Sequence, residues 1–251
     1  ESLYKMMKEV FKLTDDDFKE YSDDIGFDPV DLSDHPVKLA QEHLDALKAI
    51  VGEEGFSVSD YDRLAVAYGF TAYDILRLRH KIIDSVPDVV LYPDTTEQVE
   101  KIVAYSTEHD IPLYVYGGGS SVTRGVEPVK GGISLDMRRR FNKVLSFNEI
   151  DQTITVQAGM SGPDLEKTLQ NAPELFGAKR QYTCGHFPQS FEYSSVGGWT
   201  VTRGAGQNST YYGCIADIVL SQKYATPIGP ITTSHYPREA CGPDLNQIMM
   251  G

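Results

Sequence analysis

The string Tyr116-Gly-Gly-Gly-Ser-Ser-Val-Thr123 has the composition of a phosphate cradle. Three successive residues without side chains let the backbone turn and bare its N–H groups, and Ser120, Ser121 and Thr123 add hydroxyl donors. Such a loop can hold a diphosphate, although a tight turn after a strand fits the same string. Spacing excludes two common phosphate loops. A Walker loop places Lys and a hydroxyl residue directly after its last glycine, and no lysine stands there. A Rossmann fingerprint that begins with Gly117 and Gly119 needs a third glycine where Val122 stands.

A second glycine-rich string runs from His186 to Gly206 and gathers hydroxyls, Gly197-Gly198, the sole tryptophan Trp199 and Arg203. The paired glycines permit close approach to a flat ligand, and Ser194 and Ser195 can donate to polar ring edges. A loop and helix start whose glycines serve packing is the alternative, and Arg203 reads first as a surface cation. Cys184 beside His186 lacks the spacing of a metal site, so no metal is expected.

The elements that must position these strings alternate between short strands and helices. Val89 to Tyr92 reads as a strand, Thr95 or Thr96 as the cap of a helix through Tyr105, and Pro112 to Tyr116 as a second strand that enters the glycine loop. A right-handed crossover sets those two strands parallel. Ile133 to Asp136 is a further strand, and Lys143 to Phe147 with Thr153 to Gln157 form a hairpin turned at Glu149–Asp151. Ile215 to Tyr224 with Ile231 to Thr233 suggest another hairpin. Hairpins segregated after such a start make an α+β domain. Upstream, Leu44, Leu47, Ile50 and Val51 recur at helical spacing among acidic clusters such as Asp15–Asp17 and Tyr21–Asp24, and a second helix is expected from Ala72 to Ser85. Residues 1–85 are therefore expected to form a mainly helical N-terminal extension, and 86–251 the domain.

Of the 251 residues, 41% are hydrophobic, enough for a real core. With 36 acidic against 23 basic side chains the net charge is -13, which argues against nucleic acid, whose backbone demands clustered cations. The apolar runs fall far short of the ~20 residues that cross a bilayer, so no transmembrane segment is expected. Three cysteines, Cys184, Cys214 and Cys241, make no disulfide framework. A reducing compartment is expected, cytoplasmic or an organellar lumen such as the peroxisome, and the first residues lack the apolar stretch of a secretory signal.

Four blocks in order carry a resemblance: Pro87-Asp-Val-Val-Leu-Tyr-Pro-Asp-Thr-Thr-Glu-Gln-Val99, the glycine loop, Gln157-Ala-Gly159, and Val196-Gly-Gly-Trp199. The chain resembles the flavoproteins with the PCMH-type FAD-binding domain, named for p-cresol methylhydroxylase and shared with vanillyl-alcohol oxidase. Within them Gly185-His-Phe-Pro-Gln-Ser-Phe-Glu192 and Thr202-Arg203 make it most similar to the alkyldihydroxyacetonephosphate synthase group, with Gln189 where Asp is frequent and Tyr116 where an aliphatic residue is common. The resemblance covers roughly Tyr68 to Gly251. It implies non-Rossmann FAD binding between two α+β subdomains.

By position, Val115, Tyr116, Gly117, Gly118, Gly119, Ser120 and Ser121 would hold the diphosphate. Pro188, Gln189, Ser190, Tyr193, Ser194 and Ser195 would border the flavin and ribityl chain, and Val201, Thr202, Arg203 and Gly204 would complete that wall. Ile218 and Val219, in the strand after Asp217, would lie near the adenine. Arg203 becomes a candidate for a substrate phosphate or carboxylate. Without a histidine in the glycine loop, the FAD is expected to be noncovalent.

The implied reaction exchanges the acyl group of an acyl-dihydroxyacetone phosphate for a long-chain alcohol, an ether-lipid synthesis without net redox change. Its acid and base residues would sit in a C-terminal cap domain absent from this chain, which would make the chain the flavin half of a larger protein acting on a lipid or small molecule. Homodimerisation, and peripheral membrane contact through parts beyond the chain, are left open. Two alternatives stand: an FAD-dependent 2-hydroxy acid or alcohol oxidoreductase, and a noncatalytic FAD-binding subunit of a complex.

Overall fold

The computed structural model describes residues 2–18, 30–236, 240 and 242–251; the acidic cluster at 21–24 and Cys241 lie outside them. The chain divides into two compact units, Glu1–Asp31 and Leu32–Gly251. In the first, helix α1 (Ser2–Phe11) is followed by a turn in which Asp15 accepts from the Tyr4 hydroxyl at 2.7 Å and the Lys8 ammonium at 2.5 Å.

The second unit starts with helix α2 (Gln41–Val51), whose Leu44, Leu47 and Val51 are spaced to bury one stripe, and which ends where Gly52 takes φ 77°. Strand β1 (Phe56–Ser57) follows, then helices α3 (Asp60–Ala65), capped by Ser59, and α4 (Ala72–Arg79), opened by a Thr71–Asp74 capping box. Strand β2 (Val89–Leu91), helix α5 (Thr96–Glu108) with Thr95 as its cap, strand β3 (Leu113–Tyr116) and strand β4 (Ile133–Asp136) complete the first layer. The sheet order is β1-β2-β4-β3; β2 and β3 run parallel to β4, and β1 pairs antiparallel with β2. The expected crossover is therefore present, with β4 inserted between its two strands. Helix α4 stops six residues short of Ser85, and Lys81 just beyond it turns at φ 56°.

The second layer holds the antiparallel hairpin β5 (Val144–Asn148) and β6 (Thr153–Val156), then helices α6 (Gly162–Gln170), α7 (Ala172–Phe176), α8 (Val196–Val201), α9 (Ser209–Tyr212) and α10 (Ile215–Ile218). A final hairpin, β7 (Lys223–Thr226) and β8 (Gly229–Thr232), precedes helix α11 (Leu245–Met249). The strand expected from Ile215 is corrected here. Asp217 accepts from the Cys214 N–H at 2.8 Å and starts a helical turn, so Ile218 ends α10, Val219 caps it, and extended pairing begins only at Lys223.

The boundary expected at residue 86 falls inside the second unit. Leu44, Leu47 and Val51 of α2 share one core with Val89, Leu91, Ile102, Ile133 and Leu135. Arg63, 3% exposed, stitches the same region by donating to the carbonyls of Pro87 at 2.8 Å and His35 at 2.7 Å. The helical lead-in from residue 32 is thus a wall of the domain, because an amphipathic stripe must be buried against something and the sheet face is what it meets. Leu47→Ala should accordingly cost about 3 kcal/mol in urea unfolding. An unchanged midpoint would mean that α2 is an appendage.

Candidate cofactor site

The glycine loop leaves β3 directly after Tyr116, whose ring is 1% exposed and lies 4.6 Å beneath the Arg138 guanidinium. Its hydroxyl donates to the Tyr68 carbonyl at 3.4 Å, and a Cβ on Gly119 would collide with that hydroxyl. Gly119 also takes φ 70°, so two independent constraints require glycine there. Among the described residues, the N–H groups of Gly117, Gly118, Gly119, Ser120 and Ser121 donate to no protein acceptor. Gly118 and Gly119 are nevertheless buried. Five unpartnered donors in a row, two of them on buried residues, call for an acceptor from outside the chain, and a diphosphate supplies several oxygens in a row.

Against this loop stands the turn of the second glycine-rich string. The Ser190 carbonyl accepts from the N–H groups of Tyr193 at 2.9 Å and Ser194 at 2.8 Å and from the Ser194 hydroxyl at 2.7 Å. The Ser194 Oγ in turn accepts from Trp199 Nε1–H at 2.6 Å, and Ser195 caps α8 by accepting from the Gly198 N–H. A Cβ on Gly118 would overlap the Tyr193 carbonyl, and one on Gly117 would stand 2.6 Å from Ser195 Oγ. The third string joins them: Gly197 donates to the Ala158 carbonyl at 2.8 Å, with a hypothetical Cβ 2.7 Å from the Ala158 side chain. Blocks distant in sequence thus meet backbone to backbone because each contributes residues without side chains. A cleft of about 270 Å³ opens beside them, lined by Arg138, Asn142, Gly159, Ser161, Asp164 and Glu192–Ser195.

The structure brings Gly117–Ser121 together with Tyr193–Ser195. Val115 lies exposed on β3, an outer strand of its sheet, and Tyr193 is exposed with its ring 6.3 Å from Phe70. Pro188, Gln189 and Ser190 form the turn before them. Val201 ends α8 and is exposed, Thr202 caps it by donating to the Gly198 carbonyl at 2.8 Å, and Arg203 takes φ 49°. The Arg203 guanidinium donates to the carbonyls of Gln247 at 2.5 Å and Met250 at 3.4 Å, so in this arrangement it holds the end of α11. Gly204 accepts from the Ile215 N–H at 3.1 Å, which ties that wall to α10 and hence to Ile218 and Val219. Gly69 and Arg138 were not foreseen. A glycine just before a Thr-x-x-Asp helix start was the available signal for the first, and Arg138 stands in an arginine triplet that reads as surface.

Two titratable groups border the site. Burial pushes the Cys184 thiol up to about 11, so it is neutral at physiological pH. His186 is 1% exposed, sits edge-on to Trp199 at 4.9 Å, and has both ring nitrogens without a partner among the described residues. Burial pushes its pKa below 6.5. The unfolded chain then binds a proton that the folded chain refuses, so stability is full above about pH 6.5 and falls as the pH drops from there toward the folded pKa. His186→Gln should flatten urea-derived stability as the pH falls below about 6.5, and a slope equal to wild type would show that His186 is not its source.

Bare backbone donors at the end of a parallel strand, closed by a second glycine-rich turn, sit in an α+β arrangement that superposes on p-cresol methylhydroxylase with a TM-score of 0.65, the PCMH-type fold. Residues 87–234 match the family described as FAD binding domain. The chain belongs to that family of flavin-binding domains. It is 32% identical over 221 residues to the alkyldihydroxyacetonephosphate synthase of Trypanosoma brucei brucei, covering 86% of this chain and 34% of that protein. It is 28% identical over 230 residues to the mitochondrial D-lactate dehydrogenase [cytochrome] 1 of Saccharomyces cerevisiae, covering 90% and 37%. A solved alkyldihydroxyacetonephosphate synthase structure superposes with a TM-score of 0.78 at 29% identity, over 86% of this chain and 38% of that one. The chain spans about a third of the length of the curated relatives it matches. No helix among the described residues is long and apolar enough to cross a membrane.

Proposed function

We propose that this chain is the FAD-binding portion of an alkyldihydroxyacetonephosphate synthase-like enzyme, exchanging an acyl group for a fatty alcohol in ether-lipid synthesis. The observation that carries the cofactor assignment is the run of unpartnered N–H donors from Gly117 to Ser121 facing Tyr193–Ser195. Ser120 and Ser121 add hydroxyls to that cradle, while Pro188, Gln189, Ser190 and the Val201–Gly204 segment border the ring. When bound, FAD supplies a reactive ring nitrogen for group exchange without net redox change. The chain's own part is to neutralise the diphosphate with backbone donors and to fix the ring's position through the Ser190–Ser194–Trp199 hydrogen bonds.

The loop offers Ser120 and Ser121 where a covalent attachment would need histidine, which supports noncovalent FAD. The synthase reading is favoured by the higher identity to the trypanosomal synthase than to the yeast dehydrogenase. Arg203 is proposed for a substrate anion once its bonds to the α11 carbonyls are exchanged. A peroxisomal setting and a lipid substrate accompany this reading.

A spectrum of the purified full-length protein, cap domain included, followed anaerobically by D-lactate and separately by a palmitoyl-dihydroxyacetone phosphate, tests it. Retained or reconstitutable flavin that keeps its colour with lactate, and alkyl product after lipid and fatty alcohol, is the expected result. Bleaching by lactate would move the assignment to a 2-hydroxy acid oxidoreductase, and failure to bind FAD would end the cofactor assignment.

A further inference from the structure

Behind the glycine loop lies a buried ionic cluster centred on Arg77 of α4, 3% exposed. Its Nη2 donates to Asp84 and, at 3.0 Å, to Glu127 Oε1, and its Nη1 stands 3.7 Å from Asp74, itself 1% exposed. The guanidinium also covers the Tyr68 ring, 4.4 Å from its centroid. Glu127 is buried too, and its second oxygen accepts from Arg124 at 2.6 and 2.8 Å.

The cluster reaches the loop through its backbone. The Tyr68 hydroxyl accepts from the Asp84 N–H at 2.9 Å, and the Tyr68 carbonyl accepts from Tyr116. The next residue, Gly69, presses on the loop: a Cβ there would stand 2.7 Å from the Ser121 carbonyl oxygen and 3.3 Å from both the Gly119 carbonyl oxygen and Asp74. In a planar trans peptide the carbonyl and the following N–H point in opposite directions. Carbonyls of Gly119 and Ser121 turned toward Gly69 therefore aim the N–H groups of Ser120 and Val122 away from it. Arg124, at φ 62°, holds the downstream end of the same loop through Glu127.

We propose that Arg77 is a positioning residue for the ligand face of the glycine loop: by gathering Asp74, Asp84 and Glu127 it seats Tyr68–Gly69 against the loop carbonyls and so turns the Ser120 and Val122 N–H groups outward. This rests on the reading that the loop holds the FAD diphosphate. Removing the cation takes from the buried Glu127 the donor to its Oε1 and from the buried Asp74 its nearest cation, although Glu127 keeps Arg124 and Asp74 keeps the Thr71 N–H, so the segments that carry these two carboxylates are free to shift.

The test is phosphorus NMR of bound FAD in the full chain at saturating cofactor, comparing wild type, Arg77→Met and the milder Glu127→Gln, which keeps shape and decides the matter if Arg77→Met does not fold. The expected result is a shifted pair of diphosphate resonances, with flavin absorbance maxima unchanged and FAD affinity about ten-fold weaker in Arg77→Met. Diphosphate resonances at their wild-type positions, whatever the loss of thermal stability, would overturn the proposal and leave Arg77 as a packing residue. Gly117→Ala touches the loop directly and must shift the same resonances; if it does not, the loop assignment fails independently of Arg77.

Discussion

Gly118→Asp is expected to weaken FAD binding by about 100-fold or more, measured by quenching of flavin fluorescence on titration. Gly118 does not take a left-handed φ, so the demand for glycine here is one of space. A Cβ would overlap the Tyr193 carbonyl oxygen and stand 2.5 Å from Ser194 Cα, both main-chain atoms that no rotamer change can move. The loop and the 193–195 turn would have to part, which opens the cradle that their contact closes. The aspartate then adds a negative charge beside the bound diphosphate, in a partly buried setting where screening is weak. Circular dichroism separates this from unfolding, because the first sheet ends at Tyr116 and needs no change. Wild-type affinity in a folded variant would falsify the phosphate-loop assignment.

Trp199→Ala should cost about 4 kcal/mol in urea unfolding and carry FAD binding down with it. Trp199 is 3% exposed and packs with Met160, Leu165, Leu169 and Ile215, the core of the second layer. Truncation leaves a large void among them, and it also deprives the Ser194 hydroxyl of the indole donor that holds it at 2.6 Å. Trp199→Phe refills most of the void without restoring the donor. Its stability should recover by more than half while FAD affinity stays reduced, which separates packing from the hydrogen bond. Full recovery of affinity with Phe would show that the Ser194 contact is incidental.

How much could be read in advance depended on where the decisive contacts lie along the chain. The β2–α5–β3 unit was legible because its signals are local: an apolar triplet, the Thr95 cap, and a strand that ends in glycines. The contact of Gly117 and Gly118 with Tyr193–Ser195 could not be read from either string, since nothing in either names its partner. The turn at Cys214–Ile218 was missed because a β-rich run hid the Asp217 capping signal. Helix α2 declared an apolar stripe but not the sheet it covers, and so was read as an extension. The Arg77 cluster escaped for the same reason, as a lone arginine in a helix reads as solvated until the fold brings Asp84 and Glu127 to it.

The strand order β1-β2-β4-β3 also has a consequence for synthesis of the chain. As the polypeptide emerges, β2 finds β1 at once, but β3 has no ladder partner until β4 has been made, and the Tyr193–Ser195 wall arrives later still. For that interval the nascent protein carries an unpaired edge, the kind of surface on which chaperones and aggregation compete. The ligand face is therefore assembled only after the first sheet is complete.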